Sequence, residues 1–207
     1  MNLLIYYNRH KILIYFIRHG ESVGNIQGTI QGSIDLPLTE TGIYQSQLLS
    51  NYLNVKDLDF FYSSPLLRAK QTAEIINQKF NLEIKFTNNL REYNYGIAEG
   101  KNWMVATTKF GIQLGAWGFG NIKGEEGPIE FCERVDTFVD NLLNDCINKN
   151  VVCVSHGAVI NRVASFILGL DVENRPRIKI NNTSVMAVDN SKNKPTIVTI
   201  NDCMHLL

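Results

Sequence analysis

The amino-acid sequence predicts an α/β fold, a three-layer α/β/α sandwich built around a mostly parallel sheet. Two observations predict it. Short apolar runs that end at glycine or polar residues recur along the chain, as is typical of strands buried on both faces of a sheet. Segments whose apolar residues keep helical spacing alternate with these runs. The chain has 207 residues, of which 44% are apolar and 19% are charged, which fits one globular domain with a sizeable core.

The first strand is predicted over the unbroken apolar run 12–17, which ends at Arg18, His19 and Gly20. Gly20 marks the point where the strand stops and the backbone turns. Arg18 and His19 are therefore expected at the carboxyl end of a central strand, where open α/β sheets bind their ligands. Residues 1–11 precede this strand and are predicted to be an extension.

The later elements continue the alternation of helix and strand. Thr39 is a good N-cap for a helix predicted over about 40–54. Ser64 and Pro65 predict the N-cap and first position of a second helix, with Arg68 in its first turn. The remaining predicted elements are a strand over 58–62, the second helix to about 80, a strand over 83–86, a helix over 129–147, a strand over 151–154, a helix over 158–168, and strands over 184–188 and 196–200.

Regular patterning fades between residues 92 and 127, where glycines and large aromatic side chains are interspersed. A long glycine-rich connection inside a compact domain is usually functional. The sequence therefore predicts a single domain over 1–207 that carries a lid-like insertion at about 93–127.

Charge and cysteine usage exclude several classes of partner. Lysine plus arginine equals aspartate plus glutamate, at 20 each, so no net basic field attracts nucleic acid or an anionic membrane. The apolar N-terminal run 1–7 is too short and too soon interrupted to cross a membrane or to form a secretion signal. None of the four cysteines forms a Cys-x-x-Cys pair, which favours reduced thiols and a cytoplasmic protein.

The polar residues at the strand ends suit phosphate chemistry. Two predicted strands end in His-Gly, at His19 and His156. Two guanidinium groups, those of Arg18 and Arg68, are expected near these strand ends. Arginine forks fit phosphate oxygens, and an imidazole can act as a covalent nucleophile. Two arginines would repel a divalent cation, and no further cluster has metal-ligand spacing, so the sequence predicts neither a metal nor another cofactor.

Four blocks, in this order, resemble the motifs of the histidine phosphatase superfamily, in its phosphoglycerate mutase-like branch. They are Arg18-His19-Gly20, the run 63–73 that contains Arg68, Leu90-Arg91-Glu92, and Ser155-His156-Gly157. The resemblance covers roughly residues 12 to 189. It implies a phosphoglycerate mutase-like fold and a phosphomonoester hydrolase that works through a phosphohistidine on a small phosphorylated metabolite.

The resemblance also implies a role for individual residues. His19 would be the nucleophile, with Arg18, Arg68 and His156 holding the phosphoryl group. Glu92 would protonate the leaving group, and Glu21 is the competing candidate for that role. The implied substrate contacts are Asn25, Gln31 and Gly157.

Two other functions stay open at this point: a mutase that transfers phosphate between hydroxyls, and a phosphate-binding module without catalysis. In glycolytic mutases of this family the acid is followed by an arginine and, later, by a lysine; here Tyr93 and Trp103 fall near those places. A monophosphate with an apolar or neutral remainder is therefore the expected partner. The sequence leaves a homodimer open.

Overall fold

The computed structural model describes residues 12–110, 122–170, 177–192 and 194–207. The predicted N-terminal extension and residues 111–121 of the predicted lid lie outside this part. The described strands are β1 (Leu13–Arg18), β2 (Phe60–Ser63), β3 (Ile84–Phe86), β4 (Val151–Ser155), β5 (Val185–Asp189) and β6 (Thr196–Asp202). The described α-helices are α1 (Val23–Ile26), α2 (Glu40–Tyr52), α3 (Leu67–Asn77), α4 (Trp103–Phe110), α5 (Pro128–Asp145) and α6 (Gly157–Ile167).

The described strands form one sheet in the order β3-β2-β4-β1-β5-β6. The pairs β3–β2, β2–β4 and β4–β1 are parallel. Strand β5 runs antiparallel to β1, and β6 runs antiparallel to β5. Five of these six strands therefore point the same way, which confirms the predicted mostly parallel sheet.

Two apolar clusters, one on each face of the sheet, give the fold its three layers. Strand β1 separates them because its side chains alternate between faces. Ile14 and Phe16 belong to the cluster that contains the apolar faces of α5 and α6. Leu13, Tyr15 and Ile17 belong to the cluster that contains those of α2 and α3. The unbroken apolar run thus forms a strand buried on both faces, as predicted.

One helix start differs from its prediction. Helix α3 begins at Leu67, its N-cap is Leu66, and no side chain caps it, so the prediction that Ser64 caps this helix is wrong. The Ser64 hydroxyl still accepts the N–H of Leu66, at 3.3 Å, but its other contact is the ring of His156. Arg68 nevertheless lies in the first turn of α3, as predicted.

Two short helices, α1 and α4, lie in segments where the sequence predicted irregular structure. Helix α4 is eight residues long and lies inside the predicted lid segment. No helix in the described ranges combines the length and the apolar character needed to cross a bilayer.

The carboxyl ends of β1, β2 and β4 meet at one edge of the sheet. Arg18, the last residue of β1, pairs with Ser155, the last residue of β4. Ser63, at the end of β2, pairs with Val154. The residues that follow these strands, including His19, Ser64 and His156, therefore lie side by side.

Candidate active site

His19 lies directly after β1 and is 2% exposed. Its Nδ1 is 2.7 Å from the carbonyl oxygen of Gly20. Because a carbonyl oxygen can only accept, Nδ1 carries a proton and donates it, which leaves a lone pair on Nε2 of the neutral ring. The glycine is required here, since a Cβ at residue 20 would lie 2.5 Å from the carbonyl oxygen of Gly42.

The backbone around His19 is fixed from three sides. Its N–H donates to Ser155 O at 3.0 Å, and Asn182 Nδ2 donates to its carbonyl oxygen, also at 3.0 Å. The following N–H, of Gly20, donates to Thr72 Oγ1 at 3.0 Å. The backbone at residues 19 and 20 is therefore held by β4, by the segment before β5 and by α3.

His156 follows β4 and is fully buried. Its Nε2 is 2.8 Å from Ser64 Oγ, whereas its Nδ1 is buried without a partner in the described structure. The rings of His156 and His19 have centroids 5.1 Å apart and are tilted by 58°. Burial, followed by repulsion from the guanidinium of Arg68, lowers the pKa of both imidazoles well below the usual value.

Two guanidinium groups lie beside these imidazoles, one from the buried Arg68 and one from the half-buried Arg18, whose Nε is buried. Arg68 is 1% exposed and donates to the carbonyl oxygens of Ile34, at 2.9 Å, and Gly32, at 2.8 Å. Arg18 donates through Nη1 to Ile180 O at 2.6 Å. Burial lowers the pKa of Arg68 to about 10, so the group remains cationic at neutral pH. Burial also lowers the pKa of Arg18.

Three buried nitrogen atoms in this cluster lack a hydrogen-bond partner among the described residues. They are Nε of Arg18, Nε of Arg68 and Nδ1 of His156. Buried polar atoms are rarely left unpaired, and each exception calls for an explanation such as a ligand. Two guanidinium N–H donors beside two imidazoles suit an anion with several acceptor oxygens, of which phosphate is the simplest example.

Glu92 lines a cleft that it shares with Arg18 of this cluster. Its Oε1 accepts the N–H of Tyr93 at 3.0 Å and its Oε2 accepts the N–H of Ala158 at 3.3 Å. The carboxylate therefore bridges to the first turn of α6. Glu92, Arg18 and Gly157 line the same cleft, which has a volume of about 160 Å³.

Glu21, the competing candidate for the acid, makes its side-chain contact elsewhere. Its Oε1 accepts the hydroxyl of Thr39 at 2.8 Å, at the start of α2. It is not among the residues that line the cleft. The structure thus places Glu92, and not Glu21, among the residues that line the cleft with Arg18.

Of the three predicted substrate contacts, Asn25 and Gln31 make hydrogen bonds within the protein, whereas Gly157 lies beside Arg18. The Ser22 hydroxyl lies 2.9 Å from Asn25 Oδ1 and 2.8 Å from Gln31 Oε1, so its one proton is shared between these two acceptors. Asn25 Oδ1 also accepts from Asn182 Nδ2 at 3.2 Å. These amide oxygens brace the loop after β1. Gly157 lies next to Arg18, because a Cβ added to it would meet Arg18 Nε at 3.8 Å.

Several residues near the site were missed by the sequence analysis. Ser64 and Thr72 lie inside the motif run 63–73, so their place in that block was an available signal. Asn161 and Arg177 line the cleft, but no motif or periodicity marks either of them. Among the described residues, no three His, Cys, Asp or Glu side chains are grouped so that they would hold a metal ion.

Comparison with known proteins agrees with this geometry. A family model described as "Histidine phosphatase superfamily (branch 1)" matches residues 14–203. The chain is 32% identical to the "Probable phosphoglycerate mutase GpmB" of Photorhabdus laumondii, over 85% of this chain and 84% of that protein. It is 33% identical to the "Uncharacterized phosphatase PhoE" of Bacillus subtilis, over 77% of this chain and 79% of that protein.

Among solved structures, the chain resembles a mutant phosphoserine phosphatase from Entamoeba histolytica in complex with phosphoserine. The TM-score is 0.80 and the identity is 27%, over 95% of this chain and all of that one. The likeness therefore covers the whole fold as well as the segments around the cluster.

Proposed function

The chain belongs to the histidine phosphatase superfamily, branch 1, and on that premise we propose that it is a metal-independent phosphomonoesterase that acts on a small phosphorylated metabolite through a phosphohistidine. The observation that carries this proposal is the set of three unpartnered buried nitrogens, Arg18 Nε, Arg68 Nε and His156 Nδ1, next to His19. A phosphoryl group would supply the acceptors that these donors lack. Phosphoryl transfer needs mainly positioning and charge stabilisation, which such a fixed cradle provides.

In the proposed first step, Nε2 of His19 attacks phosphorus and the bond from phosphorus to the ester oxygen breaks. The Glu92 carboxyl gives its proton to the leaving alkoxide. The lone pair on Nε2 is available because Nδ1 donates to Gly20 O, and because the lowered pKa keeps the ring neutral. Arg18 and Arg68 offset the charge on the phosphoryl oxygens.

In the second step, water attacks the phosphohistidine and gives a proton to the Glu92 carboxylate. The bond from Nε2 to phosphorus breaks, which releases inorganic phosphate and restores neutral His19. Both steps use the same cradle, so no metal ion is needed to neutralise the transferring group. The four cysteines of the chain are free thiols, which suits a reducing compartment and supports a cytoplasmic location.

The mutase alternative is disfavoured by the residue after the acid. Tyr93 is fully buried, and its hydroxyl donates to Glu125 at 2.7 Å. Its ring packs edge-on against Tyr95 and Phe131. This side chain is part of the core, so the position does not offer the cation with which the mutases bind a second acidic group. A module without catalysis would have no chemical need for His19 and Glu92 together.

The test is hydrolysis of p-nitrophenyl phosphate, before and after exhaustive chelation. We expect turnover that chelation leaves unchanged, acid-labile and base-stable label on His19 after rapid quench, and a loss of several orders of magnitude in His19→Ala. Activity that is lost on chelation and restored by a divalent cation would overturn the mechanism. Rapid conversion of 3-phosphoglycerate to its 2-isomer in the presence of the bisphosphorylated primer, without free phosphate, would establish the mutase instead.

A further inference from the structure

We propose that Arg177 forms a second anion subsite in the cleft, one that selects phosphomonoesters whose remainder carries a carboxylate. This inference rests on the proposed phosphatase function, because it concerns the part of the substrate that is not transferred. The cleft that contains Arg18, Glu92 and Gly157 is also lined by Arg177, Asn161 and Ile178. Arg177 belongs to the segment that leads into β5, and not to the lid.

The backbone beside Arg177 is fixed by a two-way hydrogen bond. Asn161 Nδ2 donates to Ile178 O at 2.9 Å, and Asn161 Oδ1 accepts the N–H of Ile178 at 2.8 Å. The same amide nitrogen donates to Gly157 O at 3.0 Å, in the first turn of α6. The residue after Arg177 is thus tied to the helix whose first residue lies beside Arg18.

A further hydrogen bond joins this segment to the proposed phosphoryl cradle. Ile180 O accepts from Arg18 Nη1 at 2.6 Å, so the guanidinium that would hold phosphate also holds the segment that contains Arg177. The backbone next to Arg177 is therefore fixed, while the residue itself is exposed at the cleft. A fixed backbone suits recognition of a ligand, as does a guanidinium that has no acidic partner among the described residues.

Among the described residues that line the cleft, positive charges outnumber negative ones. Its lining residues include two cations, Arg18 and Arg177, and one carboxylate, Glu92. Glu92 already accepts two backbone N–H groups, and in the described chain no acidic side chain lies within ion-pair distance of Arg177. Arg177 is near enough to contribute to the lowered pKa of Arg18, after burial. A dianionic phosphoryl group would offset Arg18 and Arg68, and a second anionic group would offset Arg177.

A carboxylate is the group that fits best. A guanidinium presents two parallel N–H donors that match the two oxygens of a carboxylate. Tyr95 and Trp103 belong to the apolar part of the same cleft and pack edge-on, with ring centroids 6.0 Å apart. The cleft has a volume of about 160 Å³, which suits a small ester whose carboxylate lies within a few bonds of the ester oxygen. This subsite revises the expectation of a neutral remainder, which was drawn from the lid alone.

The test uses O-phosphoserine and O-phosphoethanolamine, which differ only by a carboxylate. For the wild type we expect kcat/KM to favour phosphoserine about tenfold or more, as for one exposed charge-assisted pair. Arg177→Met should remove that preference mainly through KM, and should leave phosphoethanolamine and p-nitrophenyl phosphate within about twofold of the wild type. Lys179→Met, which removes an exposed cation two residues away, is the matched control and should change neither substrate.

Binding separates this inference from the proposed activity. The two ligands should bind the His19→Ala protein with the same difference in Kd, and Arg177→Met in that background should abolish it. Equal binding of the two ligands, or an equal loss for both in Arg177→Met, would overturn the subsite even if p-nitrophenyl phosphate is hydrolysed normally. If the two ligands differ in Kd as expected but the wild-type protein shows no turnover, the result would support the subsite and count against the proposed phosphatase.

Discussion

Ser64→Ala should reduce activity because Ser64 sets the proton on His156. The Ser64 hydroxyl accepts the N–H of Leu66 at 3.3 Å, so its own proton is free to go to His156 Nε2 at 2.8 Å. An imidazole that accepts at Nε2 carries its proton on Nδ1, the atom that is buried without a partner. We therefore infer that Ser64 is a positioning residue, which keeps Nδ1–H ready to donate to a phosphoryl oxygen.

The size of the effect follows from what the hydroxyl does. Both residues are fully buried, so removing the hydroxyl leaves Nε2 unpaired and should lower the free energy of unfolding by about 1–3 kcal/mol. Loss of one donor to a developing oxyanion typically costs about 10²- to 10³-fold. Ser64→Ala keeps the imidazole but frees its tautomer, so we expect a smaller loss in kcat/KM, of about 10- to 100-fold.

The assay compares Ser64→Ala with two controls on p-nitrophenyl phosphate. Ser64→Thr keeps the hydroxyl and should retain most of the activity. Ser63→Ala removes the neighbouring buried hydroxyl, which donates to Ser64 O at 2.9 Å and has no hydrogen bond to either imidazole. It should lower stability without a comparable loss of kcat/KM.

The ring ¹⁵N shifts of His156 provide a readout that a loss of stability alone would not move. They should show Nδ1–H in the wild type and mixed tautomers in Ser64→Ala. Wild-type kcat/KM with unchanged shifts in the alanine variant would refute the reasoning.

Two further predictions concern Glu92 and the buried histidines. Glu92→Gln should lower kcat/KM for an alkyl phosphate about 10²- to 10⁴-fold, but should lower it much less for p-nitrophenyl phosphate, whose leaving group needs no proton; equal losses would remove Glu92 from the acid role. Because the pKa values of His19 and His156 are lowered in the folded protein, these rings take up protons at a higher pH in the unfolded chain than in the folded one. The free energy of unfolding therefore keeps its full contribution from the neutral rings above about pH 6.5. Below that pH it falls by up to about 1.4 kcal/mol per pH unit for each ring. Urea unfolding at pH 7 and pH 5 should show this fall, and His156→Asn should flatten it; an unchanged slope would contradict the burial of a neutral ring.

The elements that could be predicted from sequence are those whose local pattern and tertiary role agree. The run 12–17 is apolar without a break, and the central position of β1 in the sheet requires that. Helix α5 keeps strong amphipathic spacing and starts at Pro128, within one residue of its predicted start. The short helix α4 could not be predicted in the same way, because eight residues in a glycine-rich segment give too few turns for a periodic signal.

The role of Ser64 shows why local rules fail at a site. The Ser-Pro pair predicts a helix cap, and the Ser64 hydroxyl does bind a nearby backbone N–H. Its other partner, His156, is 92 residues away in sequence and is brought near by the pairing of β2 with β4. Such a contact depends on the order of strands in the sheet, which a local sequence pattern does not determine. The motif blocks gave the neighbourhood of the site but not these partners.

The direction of β5 explains how Arg177 reaches a site built from the ends of parallel strands. Ile17, near the end of β1, pairs with Val185, the first residue of β5, because the two strands run antiparallel. The segment that enters β5 therefore lies at the same edge as the ends of β1 and β4. There Thr183 N–H donates to Arg18 O at 3.1 Å, and Asn182 holds the backbone of His19. The proposed phosphoryl cradle is thus supplied by strand ends and by the first turn of α3, whereas the proposed specificity is supplied by the segment that enters β5. Substitutions at residue 177 should therefore change which substrate is preferred without altering the chemistry.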